Sequence, residues 1–199
     1  MSDTSTPDPF DAAYSEGARL FEQHRFNEAV EAFARAASHR PDDFRPWEMT
    51  ACCHGSAGRW QQCADAFDRA RQLGHECARC CYNRATALIN LQRADEARQS
   101  LERAVELEPT DAAAWYELGL ILGMGRGADP SRGEPFDGRH ERAVVAFDRV
   151  LALQPDHYGA WYCKAYTLYK ISHSLGATQG LIALGYPPDA AQQALACSE

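Results

Sequence analysis

The sequence has no cluster of basic residues and no long apolar run. Its 199 residues carry 20 Lys and Arg against 28 Asp and Glu, a formal net charge of −8. Because nucleic acids and anionic membranes are bound by clustered Lys and Arg, we expect neither as a partner. The first residues, MSDTSTPDPF, lack the cationic start and apolar run of a secretory signal. We therefore predict a cytoplasmic protein, and the excess of Arg over Lys is typical of a GC-rich bacterial genome.

Recognisable catalytic motifs are missing as well. The sequence contains no H-E-x-x-H, no phosphate-binding P-loop and no nucleophile elbow. The carboxylates of Glu102, Glu106 and Glu108 fall on the outer face of a predicted helix, where Glu102 can pair with Arg98 one turn away. We expect a protein that is not an enzyme and that uses no cofactor.

What the sequence does contain is an internal repeat. Trp47, Cys81 and Trp115 are spaced by 34 residues, whereas Trp161 follows Trp115 after 46, so twelve residues are inserted in the fourth copy. Four residues after this position each copy has a small residue, and further on most have a Phe. The small residues are Gly17, Ala51, Ala85, Gly119 and Ala165, and the later aromatic residues are Phe33, Phe67 and Phe147.

This pattern resembles the tetratricopeptide repeat, a helix–turn–helix unit of about 34 residues. The resemblance extends from Phe10 to about Tyr169 and implies an all-α, right-handed superhelical solenoid. Small residues would let the two helices of a unit approach closely, while Trp and Phe fill the groove between them. One unit cannot bury its own apolar face, so successive units must stack.

The repeats divide the chain into predicted segments. We expect a disordered tail over 1–9 and repeats at 10–43, 44–77, 78–111, 112–157 and 158–187, the last one degenerate. The inserted twelve residues lie within 123–142 and form a Gly- and Pro-rich loop, interpreted as a mobile flap beside the fourth repeat, with contact to a partner as the alternative. A capping helix is predicted over 188–199, because a terminal unit must present a polar face to water.

The resemblance also implies a function, since first helices of such repeats line a groove that binds peptides or protein segments. Tyr recurs at one groove position in four of the five units, and its broad face and hydroxyl are favoured at interfaces. The alternative is that these tyrosines only pad helix packing. The predicted binding residues are Tyr14, Arg45, Glu48, Arg79, Tyr82, Asn83, Thr86, Tyr116, Leu120, Tyr162, Tyr166 and Tyr169.

One subfamily clamps the C-terminal carboxylate of heat-shock chaperones with cationic and amide side chains. Asn83 matches the middle residue of that clamp, but Glu48 and Glu117 stand in the flanking repeats where the clamp residues are needed. A carboxylate would meet negative charge there, so this clamp is not predicted. Arg45 and Arg79 remain as candidate cations. We predict an interaction scaffold or co-chaperone-like adaptor, with self-association through the solenoid ends left open.

The eight cysteines invite a different hypothesis. Cys63 and Cys81 occupy repeat positions that predict packing. Cys77 and Cys80 form a C-x-x-C at the start of a predicted helix, where the helix dipole favours a thiolate. The alternative function is therefore a thiol-based redox sensor or a metal-binding repeat protein.

A metal site is not predicted, because structural zinc usually takes two such pairs and only one C-x-x-C is present. Adjacent cysteines also point about 100° apart on a helix, which hinders joint ligation. The metal-ligand candidates that this alternative would use are Cys52, Cys53, Cys77 and Cys80.

Overall fold

The computed structural model describes residues 8–126 and 138–175, the side chains of 172–175 excepted. The chain divides into two compact units, Met1–Leu91 and Gln92–Glu199, and the boundary falls within the third predicted repeat. In the described residues every regular element is an α-helix. The first unit contains α1 (Pro9–Glu22), α2 (Phe26–His39), α3 (Arg45–Ser56), α4 (Trp60–Gln72) and α5 (Ala78–Asn90). The second contains α6 (Ala94–Leu107), α7 (Ala112–Met124), α8 (Arg139–Leu153) and α9 (Tyr158–Leu175).

The first helix begins within the segment 1–9 that the sequence predicts to be a disordered tail. Asp8 caps α1, where its Oδ1 accepts a hydrogen bond of 2.8 Å from the Phe10 N–H, and Pro9 occupies the first turn. Proline suits this position because its missing N–H would be unpaired there anyway. Asp8 also pairs with Arg40, so the start of α1 is tied to the end of α2. Residues 1–7 lie outside the described part.

The predicted match of a small residue with a Phe is confirmed in both units. A Cβ added at Gly17 of α1 would lie 2.7 Å from the ring of Phe33 in α2. In the second unit, a Cβ at Gly119 of α7 would lie 2.6 Å from the ring of Phe147 in α8. Both Phe side chains are fully buried. The two helices of a repeat therefore approach at the glycine, and the ring fills the space that a side chain would need.

Two of the tryptophans, Trp115 and Trp161, have a role that the repeat pattern does not predict. Trp115 donates its Nε1–H to the Pro109 carbonyl at 3.0 Å, and Trp161 donates to the Pro155 carbonyl at 2.9 Å. The side chain thus closes the turn that precedes its own helix. Trp161 is 53% exposed. Phe side chains fill the groove between the two helices of a repeat. The expectation that Trp also fills this groove is wrong for Trp161.

The fourth and fifth repeats extend beyond the described residues. Helix α7 ends at Met124 before Gly125, whose φ of 67° is left-handed, and α8 begins after Gly138, whose φ is 78°. The predicted flap lies mostly at 127–137, outside the described part, as do the second helix of the degenerate repeat and the capping helix. In α9, Ala165 is exposed, although the equivalent position is buried in the four other repeats.

Candidate functional site

The predicted binding residues of α1 and α3 meet on one surface of the first unit. Tyr14 is half-buried, with its ring stacked 5.9 Å from that of Phe10 and 5.4 Å from that of Phe33 at an edge-on angle. This burial raises the pKa of the Tyr14 hydroxyl. The guanidinium of Arg45 lies 5.7 Å from the centre of the Tyr14 ring, a distance typical of a cation–π contact.

The two cations predicted for this surface are each paired with a carboxylate of the same chain. Arg45 Nη2 lies 2.6 Å from Asp43 Oδ2, and this hydrogen-bonded pairing holds the pKa of Asp43 below its ordinary value. Arg79 Nη2 lies 3.1 Å from Glu48 Oε1, with Arg79 itself highly exposed. An acidic ligand group would therefore have to compete with Asp43 or Glu48 for either guanidinium.

The polar side chains of α5 are partly satisfied by their own helix. Thr86 donates its hydroxyl to the Tyr82 carbonyl at 3.2 Å, and Asn90 donates its amide to the Thr86 carbonyl at 2.8 Å. Tyr82 and Asn83 are half-buried. Of the predicted groups on α5, only Arg79 has a largely exposed side chain.

In the second unit, the predicted residue Tyr116 is packed between three elements. Its ring lies 6.1 Å from that of Phe147 and 4.7 Å from that of His157, and its hydroxyl lies 3.9 Å from Cys163 Sγ. Burial, followed by the contact with Cys163, raises the pKa of Tyr116. A Cβ added at Gly159 would lie 2.7 Å from the Tyr116 hydroxyl, so α9 needs glycine there to approach α7.

The tyrosines of α9 differ from those of the other helices. Tyr162 is 69% exposed, Tyr166 39% and Tyr169 61%. Leu120 of α7 is half-buried. The recurring Tyr position of the repeat is thus half-buried at Tyr14, Tyr82 and Tyr116 and open to solvent at Tyr162 only. The half-buried members of the set contribute to packing, and a binding role stays a prediction for all of them.

Three of the cysteines belong to the packed interior. Cys53 is fully buried in a cluster that includes Leu20 and Phe33, and burial raises the pKa of its thiol to about 11. Cys63 is also buried, with its pKa raised to about 12. Cys81 is buried as well. The predicted packing roles of Cys63 and Cys81 are confirmed, and the burial of Cys53 gives it the surroundings of a core residue.

The C-x-x-C pair is placed differently. Cys77 is the N-cap of α5, and its Sγ accepts a hydrogen bond of 3.2 Å from the Cys80 N–H. The two sulfur atoms are 2.7 Å apart, and both cysteines are free. Burial, the Cys77 sulfur and the Glu48 carboxylate together raise the pKa of the Cys80 thiol. One atom each of Glu48, His75, Cys77 and Cys80 forms a set in which all lie within 4.8 Å of one another.

This cluster differs from the set of metal-ligand candidates drawn from the sequence. It shares Cys77 and Cys80 with that set but has Glu48 and His75 in place of the two cysteines of α3. In the repeat, His75 stands at the position that Pro41 and Pro109 occupy in other copies, so its repeat position does not mark it as a ligand. The signal that could have revealed it is its place two residues before the C-x-x-C, in the order H-x-C-x-x-C.

None of the helices in the described ranges 8–126 and 138–175 is long and apolar enough to cross a membrane.

The chain has clear similarities to known proteins. Residues 10–104 match the family described as anaphase-promoting complex, cyclosome, subunit 3. The Hsp70-Hsp90 organizing protein of Triticum aestivum is 31% identical over 105 residues, which make up 52% of this chain and 16% of that protein.

The peroxisomal targeting signal receptor of Eremothecium gossypii is 26% identical over 133 residues, 67% of this chain and 22% of that protein. The chain therefore spans about a fifth of the length of these two relatives. Among solved structures, YrrB, a TPR protein with an unusual peptide-binding site, superimposes with a TM-score of 0.69 at 20% identity, over 79% of this chain and 75% of that chain. These similarities confirm the all-α repeat fold and the family resemblance drawn from the sequence.

Proposed function

We propose that this chain, which has the tetratricopeptide-repeat fold, is a non-enzymatic scaffold or adaptor that binds a peptide or an extended protein segment on the first helices of its repeats. Two proteins similar to it support this role by what they bind. YrrB has a peptide-binding site, and the Eremothecium gossypii relative is a receptor for a targeting signal. Within this proposal, the exposed tyrosines of α9 contact the bound segment.

The observation that carries the proposal is the aromatic face of α9. Tyr162, Tyr166 and Tyr169 are spaced by four and three residues, which places them on one side of a helix. All three are exposed, and Lys170 Nζ lies 5.5 Å from the centre of the Tyr166 ring. Exposed, adjacent aromatic side chains are typical of interaction sites, because a rigid ring buries a large area at little entropic cost.

The charges of the first unit indicate the kind of ligand. Arg45 and Arg79 are already paired with carboxylates, so the surface formed by α1, α3 and α5 has little unbalanced positive charge. Binding energy should therefore come mainly from apolar and aromatic burial. We expect salt to weaken the complex only modestly, since screening acts on charge pairs and not on buried apolar area.

The experiment selects peptide ligands for the wild-type protein from a displayed random library and measures their affinity by fluorescence anisotropy. We expect the triple variant Tyr162→Ala, Tyr166→Ala, Tyr169→Ala to bind at least about tenfold more weakly, since tyrosine is enriched among the interface residues whose truncation costs about 2 kcal/mol or more. Helicity should be unchanged, because the three side chains are exposed.

A matched control is Val145→Ala, which removes an apolar side chain that is 58% exposed on α8, a second helix. It should bind like the wild type. Equal affinity of the triple variant and the wild type would remove α9 from the binding surface. Equal losses in the triple variant and in Val145→Ala would show that the contact is a general apolar one. Light scattering against protein concentration tests self-association separately.

A further inference from the structure

A cluster of four donor groups lies where the second repeat meets the third, within the first unit. Glu48 comes from α3, His75 from the turn after α4, and Cys77 and Cys80 from the first turn of α5. The four donor atoms lie within 4.8 Å of one another, and the residues are half-buried except Cys80, which is buried. Two sulfurs, one imidazole nitrogen and one carboxylate oxygen are all ligands that zinc accepts.

The spacing of the donors suits a tetrahedral ion. Zinc bonds of about 2.3 Å to sulfur and about 2.0–2.2 Å to nitrogen and oxygen place tetrahedral ligands roughly 3.3–3.8 Å apart. Two donor pairs lie in this range: Cys80 Sγ is 3.6 Å from Glu48 Oε1, and His75 Nε2 is 3.5 Å from the other carboxylate oxygen, Oε2. Taken with one oxygen of Glu48, all four donor atoms lie within 4.8 Å of one another. The sulfurs, 2.7 Å apart, must separate by about 1 Å, which a small rotation of either cysteine side chain provides.

His75 provides a second and independent observation. Its Nε2 is shielded from solvent and has no hydrogen-bond partner among the described residues. Its ring is stacked on Phe44, with centres 3.7 Å apart and planes inclined by 4°. Buried polar atoms are rarely left without a partner, because desolvation without a hydrogen bond is unfavourable. The stacking therefore fixes the ring with its Nε2 within 4.8 Å of the donor atoms of the carboxylate and the sulfurs, where it is available to a metal.

We propose that Glu48, His75, Cys77 and Cys80 form a structural zinc site. Binding releases the two thiol protons to solvent, and the two thiolates and one carboxylate then surround the doubly charged ion. The site has one net negative charge, which Arg79 offsets from its place 3.1 Å from Glu48 Oε1. The Cys80 N–H, which already points at Cys77 Sγ at 3.2 Å, stabilises the thiolate from outside the ligand shell.

The site joins α3 to the beginning of α5, so zinc should stiffen the junction of the second and third repeats. Metal binding is measured without a partner, and the triple variant of α9 leaves it untouched. Failure of the proposed scaffold role would therefore not affect this proposal.

The test measures zinc in the reduced, full-length protein after incubation with a slight excess of zinc sulfate and exhaustive dialysis. We expect one equivalent of zinc per chain by inductively coupled plasma mass spectrometry. The midpoint of thermal unfolding should be higher than that of the zinc-free protein. Competition with a chromogenic chelator measures affinity. Cys77→Ser,Cys80→Ser should lower affinity by more than about 100-fold, and Glu48→Gln or His75→Gln by at least about tenfold, because even supporting groups outside the ligand shell contribute 10–100-fold.

Two controls lie next to the site without belonging to it. Cys52→Ser removes a thiol one turn after Glu48 on α3, and Glu76→Gln removes a carboxylate between His75 and Cys77. Both should keep the full equivalent. Circular dichroism checks the fold of every variant. Cobalt substitution of the wild type needs no variant, since thiolate-to-cobalt charge-transfer bands and the strong visible absorption of a tetrahedral ion report the ligands directly.

The proposal would be wrong if the reduced protein retained no zinc or if the cobalt spectrum lacked thiolate bands. It would also be wrong if the Cys77→Ser,Cys80→Ser variant retained as much zinc as the wild type. A loss in Cys52→Ser with none in Glu48→Gln would show that the ligand set is wrong. Ready formation of a Cys77–Cys80 disulfide with oxidised glutathione, in a protein that takes up no zinc when reduced, would assign the pair to thiol chemistry instead.

Discussion

Helices α1 and α9 are the first helices of the first and fifth repeats, yet the same repeat positions have different surroundings in them. In α1, Gly17 is buried against Phe33, and Tyr14 is half-buried between two rings. In α9, the equivalent residues Ala165 and Tyr162 are both exposed. A repeat position therefore specifies where a side chain points from its helix, and the neighbouring helix decides whether that direction is core or surface.

The largest expected difference between the two helices comes from adding volume at the small position. Gly17→Val should lower the free energy of unfolding by about 1–3 kcal/mol, because its Cβ alone would lie 2.7 Å from the Phe33 ring and overpacking forces a buried neighbour to move. Ala165→Val, the matched change in α9, should stay within about 0.5 kcal/mol. Urea unfolding followed by circular dichroism measures both. Equal effects would show that the fifth repeat packs at this position as the first one does.

A smaller difference is expected at the recurring tyrosine. Tyr14→Ala should lower the free energy of unfolding by about 1–2 kcal/mol, because it removes a half-buried ring with two aromatic neighbours. Tyr162→Ala removes a ring that is 69% exposed and should change stability by less than about 0.5 kcal/mol. The same unfolding experiment compares the two variants. A large loss in Tyr162→Ala would place this tyrosine among the packing residues and weaken its assignment to binding.

The smallest expected difference concerns the beginnings of the two helices. The Phe10 N–H and then Arg40 hold the pKa of Asp8 below 3.8. At the start of α9 an imidazole takes the place of the carboxylate, with His157 Nδ1 accepting from the Ala160 N–H at 3.0 Å. A lowered pKa in the folded state means that the Asp8 carboxylate stabilises the fold above pH 3.8, and that this contribution is lost as the pH falls through the lowered value.

Asp8→Asn keeps a cap that can accept the Phe10 N–H but removes the charge. Its midpoint of thermal unfolding should be lower than that of the wild type near neutral pH, and the two should converge in strong acid. A difference that persists unchanged below the lowered pKa would show that shape, and not charge, distinguishes the two caps.

Much of the fold could be predicted because the repeat reports short-range geometry. The spacing of Gly17 and Phe33 implies two helices in close contact, and Cys63 and Cys81 occupy positions whose burial follows from the repeat alone. The Arg98–Glu102 ion pair, at 2.9 Å, is also as predicted, because residues four apart on a helix are neighbours. The exposure of Trp161 and the early start of α1 at Pro9 were not predicted, since each depends on the turns that flank a helix.

The candidate sites were predicted less completely, for a physical reason. Glu48 and His75 are separated from each other by α4 and the turns on either side of it, so no local spacing indicates that they meet Cys77 and Cys80. The pairing of Arg79 with Glu48 likewise joins two helices. Contacts of this kind depend on side-chain directions across a helix interface, which sequence spacing does not report.

The sequence by itself determined that this chain forms helix pairs of the tetratricopeptide type, because a period of about 34 residues with small and aromatic residues at set positions is typical of units that bury their apolar faces by stacking. Only the tertiary structure decided which tyrosines are open, which cations are already paired and which four donors converge beside Cys77. Local periodicity acts along one helix, whereas exposure, charge pairing and ligand geometry arise where separate helices come together.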